Sequence, residues 1–157
     1  MCAIIDANVS PEVFGDDRTP RGKILYDWLT RGRAGRLVVG GELLRELSQY
    51  RKFKAWLGEA ISAGRARRIR DTVVDSETEA IRAGQSCRSN DHHILALARV
   101  SGARLLFTND RNLEQDFKNR SLVPDPRGKI YKTPDHHHLL EQQDLCPMRS
   151  HDEVGRA

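Results

Sequence analysis

Three short apolar runs, each cut off by polar or glycine residues, constrain this chain most. They are Ala3-Ile4-Ile5 before Asp6, Leu37-Val38-Val39 before Gly40-Gly41, and Leu105-Leu106-Phe107 before Thr108-Asn109-Asp110. Apolar residues at consecutive positions suit strands buried on both faces. Between the runs the period changes to helical. Ile24, Leu25, Trp28 and Leu29 follow Thr19-Pro20, with proline favourable in a first turn. From Glu42, the residues Leu43, Leu44, Leu47, Tyr50, Phe53, Leu57, Ala60 and Ile61 predict one long helix, or two with a break, closing near Gly64. Ser76 to Ala83 reads as a short acidic helix with Ser76 as N-cap and Glu79 in the capping-box position. Ser89 or Asn90 caps a helix with Ile94, Leu95, Leu97 and Ala98 on its apolar face, ended by Ser101-Gly102. Asn112 to Lys118 predicts a further helix, and Lys129-Ile130-Tyr131 a last strand after the Pro124–Gly128 turn. Buried strands alternating with helices imply a three-layer α/β/α sandwich with a mainly parallel central sheet.

At 157 residues the chain has room for one domain. Periodicity fades after Thr133, so the expected division is a domain over 1–133 and a C-terminal tail over 134–157, flexible or docked through Leu139-Leu140. No window approaches the ~18 consecutive apolar residues of a membrane helix. The first fifteen residues carry Asp6 and Glu12 and no Lys or Arg, unlike a secretory signal. Cys2, Cys87 and Cys146 are odd in number and lack CxxC spacing, which argues against a disulfide framework and for a cytoplasmic setting.

The net charge of +4 is unevenly distributed. Residues 1–17 hold four acids and no Lys or Arg, residues 18–70 fourteen Lys/Arg against four acids, and residues 71–157 twelve against fourteen. Within the basic block, Arg31, Arg33, Arg36, Arg51, Lys52, Lys54, Arg67 and Arg68 are candidates for gripping a polyanion such as RNA. A solvated helical face is the simpler explanation of the same residues.

The acids fall where strands end. Asp6 follows the first run directly and Asp110 follows the third. Ligands of parallel α/β sheets bind beyond the carboxyl ends of the strands, so both face one crevice. Glu42 and Glu46 lie four residues apart on one helical face after the second strand, and Asp91 opens the helix before the third. Like charges gathered there repel unless a cation is present, and oxygen ligands of this kind suit Mg²⁺ or Mn²⁺. Such metals support phosphodiester hydrolysis. Taken singly, Asp91 and Asp110 also read as helix caps.

Four segments in order carry a resemblance: Ile4-Ile5-Asp6-Ala7-Asn8-Val9, Gly41-Glu42-Leu43-Leu44-Arg45-Glu46-Leu47, Asn90-Asp91-His92-His93-Ile94-Leu95-Ala96-Leu97-Ala98 and Gly102-Ala103-Arg104-Leu105-Leu106-Phe107-Thr108-Asn109-Asp110. From residue 3 to about 133 the chain resembles the PIN-domain ribonucleases, which include the VapC-type toxins of toxin–antitoxin pairs. The resemblance implies a PIN-like fold and a Mg²⁺- or Mn²⁺-dependent endoribonuclease. Asp6, Glu46, Asp91 and Asp110 match the family's acidic quartet, holding the metal. Thr108 matches its supporting hydroxyl, and Asn8 the polar residue beyond the first Asp. Glu42 stands where relatives often carry Ser or Thr, so Glu42 and Glu46 remain alternative ligands, with Glu46 preferred. Asn112 replaces an acid found in many relatives, which weakens a second metal site. RNA as substrate, an antitoxin as protein partner and a homodimer are implied in the same way.

Other features have simpler explanations. His136-His137-His138 with Cys146 and His151 invite zinc, but adjacent histidines rarely converge on one ion, so they read as tail. His92 and His93 are expected on a helix surface or at a cap, and Trp28 and Trp56 in the core. Two other classes compete: a catalytically silent PIN-like RNA-binding or scaffold protein, and a receiver- or phosphatase-like domain. The latter is disfavoured because Asp6-Ala7-Asn8 lacks a second Asp and no lysine ends a late strand.

Overall fold

A computed structural model of the chain describes residues 1–31, 35–84, 86–141 and 152–153. Five strands run parallel: β1 (Cys2–Ile5), β2 (Arg36–Gly40), β3 (Ala66–Ile69), β4 (Leu105–Phe107) and β5 (Lys129–Tyr131). A two-residue strand, β6 (Asp152–Glu153), adds antiparallel to β3, and the sheet order is β5-β4-β1-β2-β3-β6. The three apolar runs form β1, β2 and β4, at the centre of the sheet, and all but Arg36 are buried. Their register pairs Ala3 with Leu37 on one side and with Leu105 on the other. The sheet reverses its order between β1 and β4, which makes the carboxyl ends of those two strands its natural crevice.

Helices α1 (Ser10–Phe14) and α2 (Pro20–Arg31) connect β1 to β2, and α3 (Gly41–Leu47) and α4 (Arg51–Ser62) connect β2 to β3. Helices α5 (Asp71–Gly84) and α6 (His92–Ser101) lead to β4, and α7 (Arg111–Lys118) leads to β5. They pack in two groups, α3 with α5 and α6, and α1 with α2 and α4, which gives an α/β/α sandwich. In the second group Phe14, Phe53 and Trp56 stack with centroids 4.9–6.2 Å apart. Trp28 and Trp56 are partly buried against the core, as their helical spacing implies. In the first group α6 is buried at every position from His93 to Ala98 and stops at Gly102, whose φ of 81° suits a left-handed cap.

Several expectations need correction. Of the two forms expected for the segment from Glu42, the structure takes the second, two helices with a break at residues 48–50. Helix α5 starts at Asp71 rather than Ser76, so Ser76 is interior and not an N-cap. Strand β3, Ala-Arg-Arg-Ile, is apolar at only two of four positions and was hidden inside the basic block. Its Arg67 is 3% exposed and is not available to RNA. The guanidinium donates to both Asp152 oxygens, at 2.6 and 2.7 Å, and to the Ser101 carbonyl at 3.2 Å. Cys2, 3.3 Å from Arg67 Nη1, is disulfide-bonded, against the expectation of unpaired thiols. Within 134–157, a 3-10 helix spans Pro134–Glu141 with Leu140 buried, and Asp152 reaches β3, so the described parts are packed on the domain. Cys146 and His151 lie outside the described residues.

The bidentate Arg67–Asp152 pair sets a test. Removing one partner of a buried pair leaves a charge without compensation. Arg67→Ala is expected to cost about 3–5 kcal/mol, whereas Arg31→Ala, whose exposed partner Asp27 is 3.9 Å away, costs under ~0.5 kcal/mol. Urea unfolding of both variants decides it. Equal losses would show that the pair does not tie the C-terminal segment to the sheet.

Candidate metal centre

Asp6 is the first residue beyond β1 and is 5% exposed. Its N–H donates to the Phe107 carbonyl at 3.0 Å, so the end of β1 is tied to the end of β4. Its carboxylate accepts the Thr108 hydroxyl at 2.7 Å, and Thr108 Oγ1 accepts the Asp110 N–H at 3.1 Å. One fully buried threonine therefore connects two acids 104 residues apart in sequence. Asp110 also caps α7, with Oδ1 accepting from Asn112 N and Leu113 N at 2.9 and 3.2 Å. The cap and the site share this residue.

Asp91 occupies the N-cap position of α6, but its side chain makes no cap hydrogen bond. The turn before it is held from elsewhere. Asp116, 3% exposed on α7, accepts the backbone N–H groups of Arg88 and Ser89 at 2.9–3.0 Å, and Ser89 Oγ accepts the Asp91 N–H at 3.2 Å. Asp116 was not among the residues singled out in the sequence. Only its burial, which no local pattern signals, distinguishes it from the other acids of α7.

Helix α3 supplies two more carboxylates. Gly41 opens it at φ 60°, where an added Cβ would lie 2.7 Å from Val74. Glycine there brings α3 close against α5, and the Gly41 N–H donates to Asp71 Oδ1 at 2.9 Å. Glu42 and Glu46 then face α6. The His93 ring lies between them, with Nε2 2.9 Å from Glu46 Oε1 and Nδ1 3.6 Å from Glu42 Oε2. Among the described residues, these three form the group of donor atoms lying within 4.8 Å of one another. His93 is therefore neither a surface nor a capping residue. A polar side chain immediately before the apolar run Ile94–Ala98 was the available signal. Glu42 also has Arg82 at 3.8 Å.

Electrostatics joins this group to the aspartates. Burial raises the Glu46 pKa; the Glu42, Asp91 and Asp6 charges raise it further, while His93 lowers it. Burial likewise raises Asp91, with Asp6, Asp110 and Glu42 adding to the rise and His93 opposing it. The fold thus brings Asp6, Glu46, Asp91 and Asp110 into one field of mutual repulsion, with Glu42 inside it. The donor atoms that gather within 4.8 Å are those of Glu42, Glu46 and His93, a group able to hold a metal ion, with the aspartates acting on it electrostatically. Asn8 is exposed on the 3-10 turn Ala7–Val9 that follows Asp6.

The basic candidates separate. Arg36 opens β2, about 13 Å along the strand from the end that leads to Glu42, and Arg31 ends the helix that enters that same far edge. Arg33 lies outside the described residues. Arg68 is half-buried 4.0 Å from Asp71. Arg51, Lys52 and Lys54 are exposed in the first turns of α4, shortly after α3, with Lys52 paired to Asp16.

Compared with protein-family models, curated proteins and solved structures, the chain has no match.

Carboxylates with raised pKa values oppose folding once ionised. Between the ordinary range near pH ~4 and the raised native values, the folded state holds protons that the unfolded chain has lost. Stability therefore falls as pH rises through that window and stays lower above it. In EDTA, Asp91→Asn is expected to flatten this fall and raise Tm at neutral pH, by about 2–4 °C for each kcal/mol of repulsion relieved. Mn²⁺ should raise the wild-type Tm and raise the variant's less. Calorimetry across pH measures both effects, and an unaltered slope in Asp91→Asn would remove the repulsive cluster.

Proposed function

We propose that this chain is a metal-dependent endoribonuclease of PIN type, cleaving RNA phosphodiester bonds. The observation that carries the reading is the Asp6–Thr108–Asp110 connection at the reversal point of the sheet, within the same field as Glu46 and Asp91. That arrangement fits the acidic quartet and supporting hydroxyl of the resemblance.

In this reading Asp6, Glu46, Asp91 and Asp110 hold Mg²⁺ or Mn²⁺. The bound cation supplies charge neutralisation for an in-line phosphoryl displacement and acidifies water. The chain's own residues do the positioning. Thr108 donates to Asp6 and fixes one carboxylate oxygen, leaving the other for the cation. His93 holds Glu46 through Nε2, 2.9 Å from its Oε1. Helix capping by Oδ1 of Asp110 and the Asp116-held turn before Asp91 restrain the remaining two carboxylates. Glu42, paired at longer range with His93 and Arg82, adds charge beside the site. Arg51 and Lys54, exposed near the glutamate helix, attract the phosphate chain.

A toxin restrained by an antitoxin follows from the resemblance alone, as does a homodimer. In that arrangement a small partner covers the acidic crevice and presents a basic side chain to it. Among the described residues no helix is long and apolar enough to cross a membrane.

The test is cleavage of total cellular RNA by purified protein with Mn²⁺. Wild type is expected to cut, and Asp6→Asn and Asp91→Asn to lose more than the roughly 10–100-fold that an outer-sphere defect costs a metal site. Equal cleavage by all three would end the proposal. Binding of RNA without Mn²⁺-dependent cleavage by any of them would favour the silent RNA-binding protein instead.

A further inference from the structure

A second cationic feature lies away from the acidic site, in the part of the chain whose overall charge is negative. Between the end of α7, the turn before β5, β5 itself and the 3-10 helix Pro134–Glu141 there is a cleft of about 530 Å³. Lys118, Arg127, Lys129, His136 and His138 line it, beside Ile130 and Leu139, and among the described residues no carboxylate does. The lining comes from consecutive elements within residues 118–139, and their meeting is fixed by packing. Gly128 lies against α7 so closely that an added Cβ would be 2.2 Å from the Phe117 carbonyl oxygen. Any other residue would push Arg127 and Lys129 away from Lys118. Leu140, buried at 6% exposure, anchors the fourth wall.

The histidines contribute in different ways. His136 Nδ1 accepts the Lys132 N–H at 3.1 Å, so the neutral ring carries its proton on Nε2 and remains a donor without being charged. His138 Nδ1 lies 3.0 Å from the Asp135 carbonyl and must donate to it. The three exposed long cations need no help from protonated imidazole to make the cleft electropositive.

We infer that this cleft binds the phosphate backbone of a nucleic-acid strand, as a contact separate from the acidic site. The two are joined by one element. Helix α7 begins at the Asp110 cap and ends at Lys118, a rise of about 12 Å over its eight residues. A strand lying along α7 would place one phosphate near the carboxylates and others in the cleft. That the strand is RNA rests on the ribonuclease reading; that it is a phosphodiester chain rests on the cleft's own cations.

The experiment measures binding, not cleavage. A fluorescent single-stranded RNA of about 12 nucleotides, 2′-O-methylated against hydrolysis, is titrated with the full chain in EDTA over a range of salt. Lys118→Glu and Arg127→Glu, both at exposed positions, should each weaken binding by about fivefold or more and flatten the dependence of log K on log salt by about 0.7. Lys23→Glu, an exposed lysine of α2 with the same change in charge, should change affinity less than about twofold. Asp6→Asn should bind at least as well as wild type, so loss of cleavage and loss of binding are separable. Equal weakening by Lys23→Glu, or none by the cleft variants, overturns the inference while leaving the nuclease reading standing. Full displacement of the RNA by millimolar inorganic phosphate at constant ionic strength also overturns it, because a single-anion pocket would then account for the cleft.

Discussion

The hydrogen bond from Thr108 to Asp6, 2.7 Å long and buried, joins the two strands at which the sheet reverses its order. The rest of the arrangement depends on that junction. Parallel strands send all their carboxyl ends to one edge, and only at the reversal do neighbouring connections diverge and leave a crevice. Asp6 can sit there because β1 is apolar and buried up to its last residue, which fixes where the first charge emerges. A slip of one residue in the β1–β4 pairing would separate Asp6 from Thr108 and turn β1's alternate side chains to the wrong helical layer. The site is therefore a consequence of register before it is a consequence of residue type.

Asp6, Asp91 and Asp110 were legible because each stands beside an element boundary, and element boundaries are what apolar runs reveal. The α/β sandwich was legible for the same reason. What was not legible depended on partners distant in sequence. Arg67 looks like every other arginine of the basic block until Asp152, 85 residues on, arrives antiparallel to β3 and neutralises it. Strand β3 was hidden by the same two arginines, whose charge outweighed a β pattern only four residues long. His93 was misread because adjacent helical residues face different ways, and which of the pair faces inward depends on how α6 packs against α3. The start of α5 was misplaced because Asp71, rather than Ser76, begins the helical turn and accepts from Gly41 across the fold.

Charge counted along a chain and charge arranged in space are different quantities, and here they disagree. Among the described residues, the basic block from 18 to 70 divides between the two edges of the sheet and the interior. The acidic C-terminal half, by contrast, gathers Lys118, Arg127 and Lys129 where a glycine contact brings α7 and β5 together. Its surplus of acids is accounted for elsewhere: Asp152 and Asp116 are buried in hydrogen bonds, and Asp91 and Asp110 belong to the crevice. Sequence distance therefore gives little information about field, because each folded segment contributes charge to whichever surface its packing leaves open.

Burying several carboxylates near one another works against folding, and the surrounding structure shows where the opposition is met. Asp116 and Asp152 are buried more deeply than Asp91, yet each receives two or more direct hydrogen bonds. Burial there is matched by donors and carries a structural role. Glu46 and Asp91 are only half-buried, and their pKa values are raised first by that burial and then by the negative charge of the neighbouring carboxylates, with His93 opposing the rise. Groups packed for stability alone would have had donors supplied by the fold. Half-buried carboxylates facing further negative charge at the reversal point of a parallel sheet are what the proposed metal reading rests on, because a hard divalent cation would relieve burial and repulsion together.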